Sequence, residues 1–185
     1  MIMAETRKAY ERRKRANFFA KYCRGAGIDI GCGDDPLKDE AIYSLVKYDT
    51  SKMDASYIIG DATGIKEFSD EQFDFVYSSH CLEHLQDYRV VLRNWFRILK
   101  SGGYLLLLLP HRDYYEGKKQ LPSVHNTDHK VFFLPFIAEP PDTISVYALI
   151  QEALGANVVI IYLNECSETT SSGDREYSIE VVIKK

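Results

Sequence analysis

Long apolar runs are missing from this sequence. The stretch Leu105 to Leu109 is far short of the ~20 residues that cross a bilayer as a helix, so no membrane span is expected. No signal-peptide pattern is visible, because charge follows Ile2 and Met3 where an apolar segment would stand. Cysteine is scarce and widely spaced: Cys23, Cys32, Cys81 and Cys166 form no C-x-x-C pair. That excludes a disulfide framework or zinc knuckle and points to reduced thiols in a cytoplasmic compartment. Internal repeats, low-complexity tracts and Pro/Gly/Ser-rich linkers are also absent, which leaves residues 1–185 as a single domain. What is present suits one sizeable core: 45% of the 185 residues are hydrophobic and 27% charged.

Charge is distributed unevenly. Residues 1–24 carry eight basic groups against Glu5 and Glu11, a net +6, and the remainder carries −10. A basic leading helix over 1–24 could dock on a phosphate-rich partner. The plainer expectation is a solvated helix whose later turn, Phe18, Phe19 and Tyr22, packs on the body. The acidic body argues against a nucleic-acid surface. Oligomeric state is not legible.

The order of elements follows from periodicity. Gly27–Ile30 reads as a strand ending at Gly31-Cys32-Gly33, and Pro36–Leu45 as a helix with proline in its first turn. Val46–Asp49, Ser56–Gly60 and Phe73–Tyr77 read as further strands. From Glu83 to Lys100, Leu85, Tyr88, Leu92, Trp95 and Leu99 recur at helical spacing, and Ser101-Gly102-Gly103 ends the helix. Tyr104–Leu109 is apolar on both faces, as a central parallel strand is. A helix capped by Asp142 or Thr143 runs to Leu154. Val158–Leu163 and Tyr177–Ile183, joined without a helix, read as an antiparallel pair. The sum is an α/β fold: a doubly wound, mostly parallel seven-stranded sheet with one antiparallel strand.

Ligands of such sheets sit at the carboxyl ends of the strands. Two glycines after the first strand let the backbone turn tightly, and Asp49 ends the second strand, where an acid can accept ribose hydroxyls. The third glycine of a dinucleotide fingerprint is replaced by Pro36, and Asp34-Asp35 would oppose a pyrophosphate. Carboxylates here suit a cofactor bearing an ammonium group instead. In motif order, Asp29, Gly31, Cys32, Gly33, Asp49 and Asp61-Ala62, then Phe73 to Leu85 and Leu99 to Tyr104, the chain resembles the class I S-adenosylmethionine-dependent methyltransferases. The resemblance implies a Rossmann-like methyltransferase fold with S-adenosyl-L-methionine as cofactor. By the same resemblance, Asp29 and the Gly31–Gly33 turn would hold the methionine moiety and Asp49, with Thr50 beside it, the ribose. Asp61 and Ala62 would meet the adenine, and Ser78, Ser79 and His80 would line the floor near the sulfonium.

The stretch 111–134 is long for a connection and begins over that site, so it is expected to be a substrate lid. Its wording resembles methyltransferases of surface-polysaccharide and glycan assembly, which implies an O-methyltransferase acting on a sugar or glycan hydroxyl. A small metabolite is an alternative acceptor, and a non-catalytic cofactor-binding module that docks on a partner enzyme is an alternative role. Displacement at carbon needs alignment and a base for the hydroxyl proton. His125 and His129 are the leading bases, Asp128 their orienting partner and His80 a reserve. His111, Tyr114 and Tyr115 are candidate substrate contacts. His84 reads as a structural residue. His125, Asp128 and His129 also have metal-ligand chemistry at His-x3-His spacing, but no helical pattern follows Pro122. No metal ligand is assigned, and a divalent metal is left as an option.

Overall fold

The run Leu105–Leu109 feeds two cores at once. In the computed structural model, which describes residues 5–51 and 54–185, Leu105, Leu107 and Leu109 pack into one cluster while Leu106 packs into another, all about 1% exposed or less. Alternation of side chains along a strand covered on both faces produces that division. The strand is β5 (Leu99–Pro110). Around it lie β1 (Gly25–Ile30), β2 (Ile42–Asp49), β3 (Tyr57–Ile59), β4 (Phe73–Ser79), β8 (Val159–Cys166) and β9 (Ser178–Lys184). They form a seven-stranded sheet in the order β3-β2-β1-β4-β5-β9-β8, with β9 antiparallel to both neighbours and the rest parallel. A small second sheet pairs β6 (Phe132–Leu134) with β7 (Thr143–Ser145).

One face of the large sheet is covered by α3 (Tyr88–Arg97) and α4 (Val146–Leu154), through Val91, Leu92 and Trp95 of the first and Leu149, Ile150 and Ala153 of the second. The other face is covered by α1 (Glu5–Arg15) and α2 (Phe18–Tyr22), which press Phe18 and Phe19 on Phe75, Tyr77 and Leu106. The order of strands reverses between β1 and β4, and that crevice is the switch point where ligands of such sheets bind.

Several expectations need correction. The helix over 36–45 does not form: the chain stays irregular to 41, and β2 already begins at Ile42, pairing with Gly25. Asp39 accepts the N–H of Ala41 at 3.0 Å, a local side-chain bond that competes with a helical turn, and Leu37 is buried under α2. The helix over 83–100 divides into a short 3-10 turn, Leu82–His84, and α3, which starts after Asp87 in a left-handed conformation. The cap of α4 is Ser145, whose hydroxyl accepts the N–H of Ala148 at 3.1 Å; Thr143 lies in β7 instead. The basic leading segment is broken at Asn17, φ 55°, and is not a solvated helix. Lys8 and Arg13 are each 1% exposed, and Arg12 and Arg13 are neutralised by Glu176 and Glu180 near and on β9.

Candidate functional site

At the end of β1 the chain turns at Gly31, φ +71°, where any side chain would collide with Cys81. The turn borders a cavity of about 220 Å³ that reaches from Asp29 to Ser79, His80 and Tyr115. Asp29 is 1% exposed; its Oδ2 accepts the N–H of Leu37 at 2.7 Å, and its Oδ1 has no partner. Burial pushes its pKa up to about 7. A buried carboxylate oxygen left without a donor is a place for a cationic ligand group, and the ammonium of S-adenosylmethionine fits it. Cys32 sits in the same turn as a neutral thiol, its pKa pushed by burial to about 12.

Asp49 closes β2 with both oxygens held by backbone: Oδ2 accepts from Gly33 and Oδ1 from Ser51, each at 2.9 Å. Its carboxylate thus stands fixed beside the glycine turn, with lone pairs left over for ribose hydroxyls. The Thr50 hydroxyl donates to Asp49 at 3.4 Å. After β3, exposed Asp61 caps Thr63 and buried Ala62 is pinned from α3, because Trp95 Nε1 donates to its carbonyl at 2.9 Å. Asn94 holds the Thr63 carbonyl in the same way, at 2.9 Å. Trp95→Phe removes the buried indole donor while keeping an aromatic ring. It is expected to cost ~2 kcal/mol, seen as a fall in Tm of several degrees in thermal unfolding.

A second group of side chains lies on the far side of the cavity, around Glu83. Glu83 is fully buried, and neither of its carboxylate oxygens has a hydrogen-bond partner. Burial pushes its pKa up to about 8, with Glu116 adding to the shift. Three imidazoles surround Glu83 Oε1: His80 Nδ1 at 3.6 Å, His84 Nε2 at 3.9 Å and His129 Nε2 at 4.0 Å. Each ring is tied by its other nitrogen. His129 Nδ1 lies 2.9 Å from Glu116, a buried acid that also accepts from Ser123 and Val124. His84 Nδ1 lies 3.1 Å from Asp128. His80 Nε2 lies 3.1 Å from the Ser178 hydroxyl, which itself donates to Glu5. The carboxylates can only accept and the serine proton is spent on Glu5, so each tied nitrogen carries a ring proton, and in the neutral rings of His80 and His129 the nitrogen facing Glu83 offers a lone pair. Burial holds the His80 imidazole down to about 3 and lowers His129 as well, so both are neutral at physiological pH. His80 also adopts a left-handed backbone, φ 50°, held by its N–H to Leu108 at 2.8 Å.

The candidate residues fall into two sets. Asp29, Gly31, Cys32, Gly33 and His80 line one cavity, with Asp49 bonded to Gly33 and Asp61-Ala62 at the next strand end. Ser78 is turned away: it is 2% exposed and its hydroxyl donates to Ile30 at 2.9 Å, so Ser79 takes the place expected of it. Within 111–134, Tyr115 borders the cavity, whereas His111 and Tyr114 stack on each other and face Glu165 at the end of β8. Phe132–Leu134 are buried in β6, so the irregular stretch ends before them. Asp128 orients His84, not His129, whose partner is Glu116. His125 is exposed and meets Tyr115 edge-on, 5.1 Å between ring centres, outside the group around Glu83. His84, expected to be structural, lies in that group with its Nδ1 tied to Asp128.

Sequence reading missed the roof. Glu5 and Thr6 of α1 border the cavity, and Thr6 donates to Ser79 at 2.8 Å while Arg7 pairs with Asp35 at 3.0 Å. The excess positive charge of the segment was the available signal. Glu83 and Glu116 were missed too, although His80-x-x-Glu83-His84 stands as a compact pattern in the sequence. A larger cavity of about 410 Å³, around Arg24, Asp74 and Lys100, lies where β1 and β5 begin, at the opposite rim from these groups.

The profile of a family described as a methyltransferase domain matches residues 3–143. The chain belongs to this family. A structure of an S-adenosylmethionine-dependent methyltransferase from Archaeoglobus fulgidus has the same fold, with a TM-score of 0.62 at 19% identity over 97% of this chain and 94% of that one. Ajmaline N-methyltransferase of Rauvolfia serpentina is 37% identical over 100 residues, 54% of this chain and 32% of its own length. Ubiquinone/menaquinone biosynthesis C-methyltransferase of Vibrio vulnificus strain YJ016 is 33% identical over 79 residues, 43% of this chain and 26% of its own. The match thus spans a third or less of these two relatives. The chain is thus a member of the methyltransferase-domain family with a mostly parallel seven-stranded sheet. Among the described residues, no helix is long and apolar enough to cross a membrane.

Proposed function

We propose that this methyltransferase transfers a methyl group to a hydroxyl oxygen of a sugar or glycan, in a cytoplasmic setting that suits its four free cysteines. Bound S-adenosylmethionine supplies an electrophilic methyl on a sulfonium. Asp29 receives the ammonium, Gly31–Gly33 let the backbone lie close to the methionine, Asp49 takes the ribose hydroxyls, and Asp61 and Ala62 border the adenine. Residues 111–130 serve as the lid, with Tyr115 contacting the acceptor. The acceptor enters by the open groove where Asp87, Thr127, His129 and Lys130 offer polar groups to hydroxyls, and Leu85, Tyr88, Leu121 and Pro122 offer an apolar wall to the carbon face of a sugar ring.

The observation that carries the oxygen acceptor is the group around Glu83. It separates the groove from the cofactor cavity, with His129 bordering the one and His80 and Tyr115 the other. An alcohol is a weak nucleophile that must lose its proton as the new O–C bond forms and the C–S bond breaks. A nitrogen or carbon acceptor, as named for the two relatives, is the competing reading. Incubation with isotope-labelled S-adenosylmethionine and a panel of nucleotide sugars, oligosaccharides, amines and quinols distinguishes them by mass spectrometry. Label in a sugar methyl ether supports the proposal; label confined to amines or ring carbons overturns it.

A further inference from the structure

We propose that Glu83, His84 and His129 form a binding site for one divalent first-row transition-metal ion, open to the acceptor groove. The inference rests on the hydroxyl-methylation reading for its chemical purpose, though not for its geometry. Glu83 Oε1 and the Nε2 atoms of His84 and His129 face one another, and the ligand atoms of the three residues all lie within 4.8 Å. Bonds of 2.0–2.1 Å to a tetrahedral ion set ligand atoms roughly 3.3 Å apart. The observed spacings of 3.9 and 4.0 Å therefore need only a small inward rotation of the side chains.

Three features of the group lack a purpose without a cation. Both oxygens of a fully buried carboxylate are left without a donor. The second nitrogens of two imidazoles face that carboxyl group, as does a third from His80 at 3.6 Å, and none comes within hydrogen-bond distance of it. The opposite nitrogens of His84 and His129 are each braced by an acid, Asp128 and Glu116. Acids in that outer position fix the ring and its tautomer and raise its basicity, the arrangement found behind metal-bound histidines. Ser123 and Val124 lock Glu116 in turn. Two imidazoles and one carboxylate select zinc or its transition neighbours over magnesium and calcium, which prefer oxygen alone. Three protein ligands leave a position open, and His129 borders the groove through which an ion and an acceptor both enter. There the ion would hold the acceptor hydroxyl and ease loss of its proton to solvent. His125 and Asp128, which the sequence offered as ligands with His129, are respectively outside the group and behind it.

The test uses the whole chain, stripped with a chelator and titrated with Zn²⁺, Co²⁺ and Mg²⁺ by calorimetry and thermal unfolding. One Zn²⁺ per chain, a raised Tm, visible absorption bands on Co²⁺ binding and at least tenfold weaker Mg²⁺ binding are expected. His84→Ala, at a partly exposed position, and Glu83→Gln should each lower Zn²⁺ affinity at least tenfold, and Asp128→Asn by less. Circular dichroism and binding of S-adenosylhomocysteine establish that each variant is folded. No saturable Zn²⁺ binding by the folded protein, or affinity unchanged in both His84→Ala and Glu83→Gln, overturns the site. Zn²⁺ bound without any affinity for the nucleoside keeps the site and removes the methyl-transfer reading, while nucleoside affinity without Zn²⁺ does the reverse.

Discussion

Asp29→Asn is expected to weaken S-adenosylmethionine binding about 100-fold, since a hydrogen-bonded charge pair formed out of water is worth ~3 kcal/mol. The carboxylate is buried with one oxygen unpartnered, so the free protein bears the cost of desolvating a charge that only a cationic ligand group offsets. Its proton is therefore retained up to about pH 7. Pairing with an ammonium needs the ionised form, so binding releases that proton. Affinity should fall as pH drops below 7, approaching tenfold per pH unit, and the Asn variant should show no such slope. The same shift acts on stability with a definite sign. The folded pKa lies above the unfolded value, so the contribution is fully present below the unfolded pKa and lost as pH rises through 7. The Tm of Asp29→Asn relative to the unmodified chain should thus climb between about pH 4 and 7 and level off above that. Calorimetric titrations at three pH values check the first claim and thermal unfolding the second. Equal affinity in the two proteins would remove Asp29 from the cofactor site.

Sequence made the glycine-turn half of the candidate site legible because its signals are local. A strand, a glycine turn and an acid at the next strand end are short patterns that parallel pairing brings to one rim, as β1 and β2 do with Gly33 bonded to Asp49. The antiparallel β9 was legible from the helix-free link before it. The stretch 36–45 misled because Leu37, Lys38, Glu40 and Ala41 favour a helix individually. Pairing of Ile42 with Gly25 instead draws the chain into β2. The group around Glu83 was illegible because it is assembled across distance. His129 reaches Glu116 and Glu83, and Glu5 reaches Ser178, over separations no periodicity records. The histidines were expected to be bases, but their partners Glu83, Glu116 and Ser178 lie in separate segments that only the fold brings together.

Glu180→Ala should be the most damaging single change to stability, by ~3–5 kcal/mol, the cost of leaving a buried charge without its counter-ion. Glu180 Oε1 accepts from Arg13 at 2.6 Å, and Oε2 accepts from Arg12 at 2.7 Å and from Tyr162 at 2.8 Å. Arg12 keeps Glu176 if Glu180 is lost, but Arg13, 1% exposed, keeps only the Tyr77 hydroxyl at 2.8 Å. Burial alone would raise the Glu180 pKa; Arg13 and Arg12 outweigh it and hold the carboxyl down to about 2. A depressed folded pKa contributes stability above the unfolded value, and that stability is lost as pH falls from about 4.5 toward 2, by roughly 3 kcal/mol in all. The Ala variant should lack this acid-sensitive component. Because the same contacts hold α1 against β9, and α1 carries Glu5 and Thr6 over the cavity, cofactor affinity should fall with stability. Pairing Arg13→Met with Glu180→Leu removes both charges together and should recover part of the loss, as apolar replacement of buried pairs does. Urea and thermal unfolding of the two singles and the double decide it: additive losses, or a Tm for Glu180→Ala within about 2 °C of the parent chain, would mean that the buried ion cluster does not fasten the roof.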